Sequence, residues 1–197
     1  MLIKPKKGSV TLVGPSILVY QMKVTLKGIR PPVWRRIQVT SDMTLKVFHK
    51  TIQIIMDWED EHLHGFIIKG LSYGTAEDGF GVDEKKVRLN SLNLQEKDKF
   101  IYLYDFGDNW EHTILVEKIL PMDEKSHYPI CLMGKRSCPP EDWGGPYRYQ
   151  DLLDIIKDPE DPEYEEALDC LGEDFAPEWF EVEFVNMHLK SLRSTRS

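Results

Sequence analysis

Residues 100–117 read Phe-Ile-Tyr-Leu-Tyr-Asp-Phe-Gly-Asp-Asn-Trp-Glu-His-Thr-Ile-Leu-Val-Glu. Period-two alternation on both sides of Gly-Asp-Asn makes this a hairpin. In the first arm Phe100, Tyr102, Tyr104 and Phe106 share one face, and Ile101 and Leu103 share the other. That arm is expected to be buried on both faces, inside a sheet. In the second arm Trp110, His112, Ile114 and Val116 alternate with Glu111, Thr113 and Glu117, apart from Leu115, which describes a strand with one wet face. Asp105, Asp108 and His112 fall near one end of this core hairpin.

Upstream, residues 19–26 alternate as a half-buried strand, 28–32 must turn because of Gly28, Pro31 and Pro32, and 33–40 return antiparallel. Arg35 then lies among Val33, Ile37 and Val39. A buried guanidinium needs a partner, for which Asp105 is a candidate, unless Arg35 snorkels to water. The period changes to helical over 44–58, with Leu45, Phe48, Ile52, Ile55 and Met56 on one stripe and Asp42 or Thr44 as N-cap. His49 beside that stripe reads as a satisfied, partly buried histidine. Residues 61–70 form a third strand with His62, His64, Phe66 and Ile68 on one face. Such a histidine pair either ligates a metal or bonds to neighbouring backbone and carboxylates. Residues 70–85 read as loop, and 87–89 as a short strand.

Downstream, 121–149 is irregular and rich in turn residues around Cys138-Pro139-Pro140-Glu141-Asp142-Trp143-Gly144-Gly145-Pro146. So long a loop in a compact domain usually carries function or moves. Three short helices follow. The first covers 149–157, the second opens at Asp161-Pro162 and stops at Gly172, and the third covers 177–192 with Phe180, Phe184, Met187 and His188 on one stripe. Helices segregated from hairpins give an α+β fold. The sheet is expected to be mixed or largely antiparallel, with the hairpin central and one long helix across it. Residues 1–18 read as an N-terminal extension, 19–192 as a single domain and 193–197 as a basic tail.

The 41% hydrophobic content, with five Trp, eight Tyr and eight Phe, is that of a packed globule. No apolar run approaches the roughly 18–20 residues of a membrane span, and Lys4, Lys6 and Lys7 precede no signal-type segment. A cytoplasmic protein with no membrane partner is expected, with Cys131, Cys138 and Cys170 reduced. The net charge of -8 divides unevenly: +9 over residues 1–50, -6 over 51–136, -14 over 137–185 and +3 over the last twelve. Either the basic first quarter packs beside the acidic part and compensates it, or it leaves a basic face open to nucleic acid.

Residues 31–36 (Pro-Pro-Val-Trp-Arg-Arg), the segment 58–66 with its His-Leu-His, 102–112 and 138–145 together resemble the Ri-plasmid open-reading-frame-three-like family over nearly the whole of 19–192. The resemblance implies a plasmid or mobile-element association, since such proteins are often labelled insertion-element passengers or resolvase-like. Similar proteins usually carry Asp-Phe-Asp-Pro-Glu where this chain has Asp174-Phe175-Ala176-Pro177-Glu178, and a shorter acid in place of Glu181. Ala176 cannot cap, so the last helix is expected to lose about 1 kcal/mol against an aspartate there.

The chemistry named by that label is missing. No serine lies in a nucleophile motif, no Arg/His/Tyr constellation is present, and there is no P-loop, dinucleotide fingerprint or His-Glu-x-x-His. The binding residues read from the sequence are Asp105, Asp108, Trp110, His112, Cys138, Glu141, Asp142, Trp143 and Arg35. Its ligand types for a divalent metal are His62, His64, Asp108, His112 and Glu141, in spacings that match no known motif. Beyond that ion no cofactor is implied. The chain reads as a non-catalytic binding or accessory module for a protein or nucleic-acid partner. Its contact surface would be a groove between hairpin tip and long loop, furnished by Trp34, Trp110, Trp143, Tyr147 and Tyr149. A metal-dependent hydrolase built on the Asp/His/Glu cluster is the alternative.

Overall fold

A computed structural model describes residues 16–76, 79–172 and 175–192. Its centre is one eight-stranded sheet, ordered β5-β4-β3-β6-β7-β1-β2-β8. The strands are β1 (Leu18–Leu26), β2 (Trp34–Thr40), β3 (His64–Ile68), β4 (Leu71–Gly74), β5 (Val82–Asp83), β6 (Lys99–Tyr104), β7 (Trp110–Pro121) and β8 (Ile130–Lys135). Every neighbouring pair is antiparallel except β4 with β5. The β6–β7 hairpin occupies the middle, as its aromatic alternation requires, with Phe100 opposite Ile114, Tyr102 opposite His112 and Tyr104 opposite Trp110. This is an α+β domain. The extension before residue 16 and the tail 193–197 lie outside the described residues.

The helices are α1 (Leu45–Met56), α2 (Gly145–Ile155), α3 (Tyr164–Leu171) and α4 (Val182–Leu189). Thr44 caps α1 by accepting the Val47 amide at 3.3 Å. Phe48, Ile52 and Ile55 of α1 join Met22, Val24, Phe66, Tyr102 and Ile114 from one sheet face in a single core, to which Tyr149 and Leu153 of α2 and Leu189 of α4 also belong. On the other face Lys23, Thr25, Trp34, Arg36, Ile101, Leu103, Thr113 and Leu115 are all half-buried. Among the described residues no helix packs over them. The expectation that β6 is buried on both faces is therefore corrected: Ile101 and Leu103 look outward. β6 stops at Tyr104 because Asp105 takes a left-handed conformation (φ 51°), which leaves Phe106 41% exposed.

Four further readings change. Residues 70–85 contain β4 and β5, and 87–89 is not a strand but runs into a short 3-10 turn, with Thr44 and Arg88 forming an isolated bridge. The stretch taken as irregular contains the edge strand β8, whose Cys131 amide donates to Asn186 Oδ1 at 2.8 Å and whose carbonyl accepts from Asn186 Nδ2 at 2.9 Å. Helix α4 begins at Val182, not Pro177. It buries Val185 and Leu189, while Phe184 and Met187 of the expected stripe are 40% and 60% exposed.

Candidate functional site

At the tip of the central hairpin Asp105 organises the turn: its Oδ1 accepts the amides of Gly107 (2.9 Å) and Asp108 (3.3 Å), and its own amide donates to Leu63 O (2.8 Å). This is the side-chain-to-backbone turn for which Asp is suited. Asp108 then reaches the long loop, where its Oδ2 accepts the Gly144 amide at 3.0 Å. A Cβ on Gly145 (φ 79°) would lie 2.4 Å from the Asp108 carbonyl oxygen. Only glycine permits that approach.

The loop is fixed from below by one phenol. The Tyr104 hydroxyl donates to Glu141 Oε1 through a very short bond and accepts the amides of Glu61 (3.1 Å) and His62 (3.4 Å), while Glu141 Oε2 takes the Glu59 amide (2.8 Å). Burial first, and Glu141 second, push the Tyr104 hydroxyl well above its ordinary pKa, so it stays a donor. Trp58 stacks on Tyr104 with centroids 4.9 Å apart and donates its indole N–H to Pro139 O at 2.9 Å. In the space so bounded, His62 Nε2 lies 3.1 Å from Asp142 Oδ1, and His62 Nδ1 lies 4.0 Å from Asp105 Oδ2. Asp105, Asp108, Glu141, Asp142 and His62 are thus brought to one place. Trp143 packs half-buried against the core beside them.

Five of the named residues go elsewhere. His112 is fully buried, its ring 5.3 Å from Trp58 and 5.4 Å from Tyr102. Burial pushes its pKa down to about 3, against the Nδ1 hydrogen bond to Trp110 O (3.1 Å), so it is a neutral core residue. Trp110 is likewise 0% exposed. His64 turns away from His62 into an inner network that sequence reasoning missed. There it stacks face to face on His49 (3.3 Å, 3°) and meets the buried carboxylate of Glu84 at 2.8 Å. His49 bonds to Tyr102 Oη (2.8 Å) and Asp60 Oδ1 (2.6 Å), and Gln53 donates to the same Tyr102 oxygen (2.8 Å). With that phenol donating to Nδ1, the His49 proton sits on Nε2 facing Asp60, and burial holds the ring below its ordinary pKa.

His49, His64 and Asp60 place ligand atoms within 4.8 Å of one another. Yet a cation bonded at about 2.1 Å to both rings would stand about 1.6 Å out of each parallel plane, far from the nitrogen lone pairs. That network is structural. Asp60 lies in an acidic run and Glu84 in an aperiodic loop, and neither position carries a sequence signal.

Arg35 does not meet Asp105. It is 3% exposed and donates to four carbonyls, those of Trp34, Ile55, Lys135 and Arg136, each at 2.9 Å, and to Cys138 Sγ at 3.1 Å. Phe180 covers its face at 4.1 Å. The end of α1 and the turn after β8 supply the negative carbonyl dipoles that a carboxylate was expected to provide. Arg35 and Cys138 border a cavity of about 500 Å³ whose aromatic wall includes Phe175, Trp179, Phe180 and Phe184. Burial raises the Cys138 thiol pKa, which Arg35 only partly opposes. The aromatic groove fails for a related reason: Trp110 and Tyr149 are fully buried and Trp34 lies on the outward sheet face, leaving Tyr147, 84% exposed, in the open.

The family model described as plasmid pRiA4b ORF-3-like protein matches residues 18–184. The chain belongs to this family. A Sinorhizobium fredii (strain NBRC 101917 / NGR234) protein designated y4hQ, itself uncharacterised, is 35% identical over 158 residues, spanning 78% of this chain and 81% of that one. The crystal structure of MM3350 from Methanosarcina mazei Go1, a protein of unknown function, superposes with a TM-score of 0.80 at 44% identity, covering 86% of this chain and 98% of the other. In this ORF-3-like protein the motifs that carried the resemblance converge in space. The 58–66, 102–112 and 138–145 segments are the three that enclose His62. No helix among the described residues is long and apolar enough to cross a membrane.

Proposed function

We propose that this ORF-3-like protein is a non-catalytic binding module whose outward sheet face takes a single-stranded nucleic acid. The observation that carries the reading is Trp34, half-exposed on β2 between two cations, with Lys23 Nζ 4.6 Å and Arg36 5.4 Å from its ring. An aromatic platform flanked by phosphate-binding cations on an antiparallel sheet is how bases are stacked without sequence readout. Lys27, Lys97, Lys99 and Lys118 extend the positive charge across the same face or its rim, against Glu111 and Glu117. Lys27 and Arg36 are paired with those two carboxylates at 2.6 Å in each case, so of the two cations flanking Trp34, Lys23 is the one with no ion pair among the described residues.

The test is a titration with unstructured RNA and DNA oligonucleotides, followed by tryptophan fluorescence at low and moderate salt. Binding should weaken with salt by a log–log slope of about -0.7 per phosphate neutralised, and Trp34→Ala should weaken it about tenfold or more with the salt slope largely preserved. Lys23→Glu with Arg36→Glu should flatten the slope. Absence of binding, or binding indifferent to Trp34, transfers the reading to a protein partner. Metal-dependent phosphodiesterase or peptidase turnover that disappears in Asp108→Ala would replace it with the hydrolase.

A further inference from the structure

We propose that His62, Asp105 and Asp142 form a binding site for one first-row divalent cation, clipping the hairpin tip to the Cys138–Pro146 loop. One nitrogen of His62 and one oxygen from each aspartate lie within 4.8 Å of one another. Ligands at about 2.0–2.2 Å from a tetrahedral ion stand roughly 3.4 Å apart; Asp142 is already 3.1 Å from Nε2, whereas Asp105, 4.0 Å from Nδ1, must swing toward Nε2 to complete the set.

The surrounding hydrogen bonds leave these atoms available. Asp105 Oδ1 is taken by the Gly107 and Asp108 amides, and its Oδ2 turns toward His62. Both Glu141 oxygens are held, by Tyr104 and by the Glu59 amide, and Asp108 Oδ2 is held by Gly144. Asp142, 72% exposed, has His62 as its polar neighbour. A second observation is independent of the carboxylates: His62 Nε2 is shielded from solvent and makes no hydrogen bond of acceptable geometry, although an oxygen stands 3.1 Å away. An imidazole nitrogen shut off from water and without a hydrogen bond is costly, and a metal bond would satisfy it.

The backbone around the three ligands is already arranged. Tyr104 Oη holds the His62 amide on one side and the residue before Asp142 on the other, so one hydroxyl sets the separation of two ligand-bearing segments. An imidazole with two carboxylates suits zinc or manganese better than magnesium or calcium, which favour oxygen alone. Three protein ligands leave the remaining positions open to water. The site lies at the strand ends and not on the outward sheet face.

The full-length chain, stripped with chelator, is titrated with zinc against a chromophoric competitor, and its thermal midpoint is followed with zinc, manganese, magnesium and calcium. One equivalent of zinc should bind and raise the midpoint, with manganese weaker and magnesium without effect. Asp142→Asn, a change at an exposed position, and His62→Gln should each weaken zinc binding at least about tenfold, with unchanged circular dichroism. His188→Ala, which removes an exposed histidine elsewhere, should leave binding as it was. Failure to bind zinc, or equal binding by Asp142→Asn and the parent chain, overturns the proposal. So does an anomalous zinc signal away from His62.

Discussion

Arg35 carries its charge into the core with no carboxylate at ion-pair distance among the described residues; its compensation is four carbonyls and a sulfur. Removing the guanidinium leaves those carbonyls, from four backbone positions, buried and unpaired. Arg35→Met should therefore lower unfolding free energy by about 3–5 kcal/mol in urea denaturation, despite its apolar fit. His112 sets a different dependence. Its folded pKa of about 3 lies below the roughly 6.5 of an unfolded histidine, so below pH 6.5 the unfolded chain binds the extra proton. The stability it supports is complete above pH 6.5 and falls as the pH drops toward 3, by about 2 kcal/mol at pH 5. Urea midpoints at pH 7.5 and 5 should show that loss, and His112→Phe should flatten it. The sequence showed that both residues were polar among apolar neighbours. It could not show that their partners are backbone atoms, since carbonyls carry no letter in a sequence.

Among the elements, what repeated with a period was legible and what did not was hidden. The β6–β7 hairpin and α1 announce themselves through Phe100, Tyr102, Ile114, Phe48 and Ile52, whose spacing matches the pleat and the helical turn. β8 has Cys131 as its one fully buried residue, a bulge against β2, and Leu132 and Met133 exposed, so its alternation is broken. The tip and loop were legible as a site because Asp105, Asp108, Glu141 and Asp142 are polar residues where periodicity stops. The contribution of Tyr104 was not, because it shares the spacing of the core aromatics. The start of α4 gives a sharper case. Its N-cap is Glu181, whose side chain makes no capping bond, and Ala176 lies five residues upstream in a turn closed by the Trp179 amide to Ala176 O bond. The cap penalty expected at Ala176 therefore does not apply. Ala176→Asp should leave the thermal midpoint unchanged, whereas Glu181→Asp, short enough to reach the first-turn amides, should add about 0.5–1 kcal/mol.

Across the whole molecule the charge is divided by the sheet. Among the described residues of the first quarter, Lys27, Arg36 and Lys46 pair with Glu111, Glu117 and Glu84, and none of these carboxylates belongs to the C-terminal helices. Cations gather on the outward face, and the -14 of residues 137–185 falls mostly on the segments that form α2, α3 and the approach to α4. A polyanion thus meets an attractive side and a repelling one, which favours a single orientation of approach. The sheet's two ends differ as well. At one, β5 is only two residues long; at the other, β8 is six residues long with apolar Leu132 and Met133 in the open. Such an edge is a template for strand recruitment and fibril growth, and the Asn186 amide, by occupying both the N–H and the C=O of Cys131, stands where the next chain's peptide group would have to bind. One side chain on α4 thereby makes the sheet finite: in Asn186→Leu the same eight strands would fold, but solutions should form oligomers with concentration and, on standing, bind amyloid dyes.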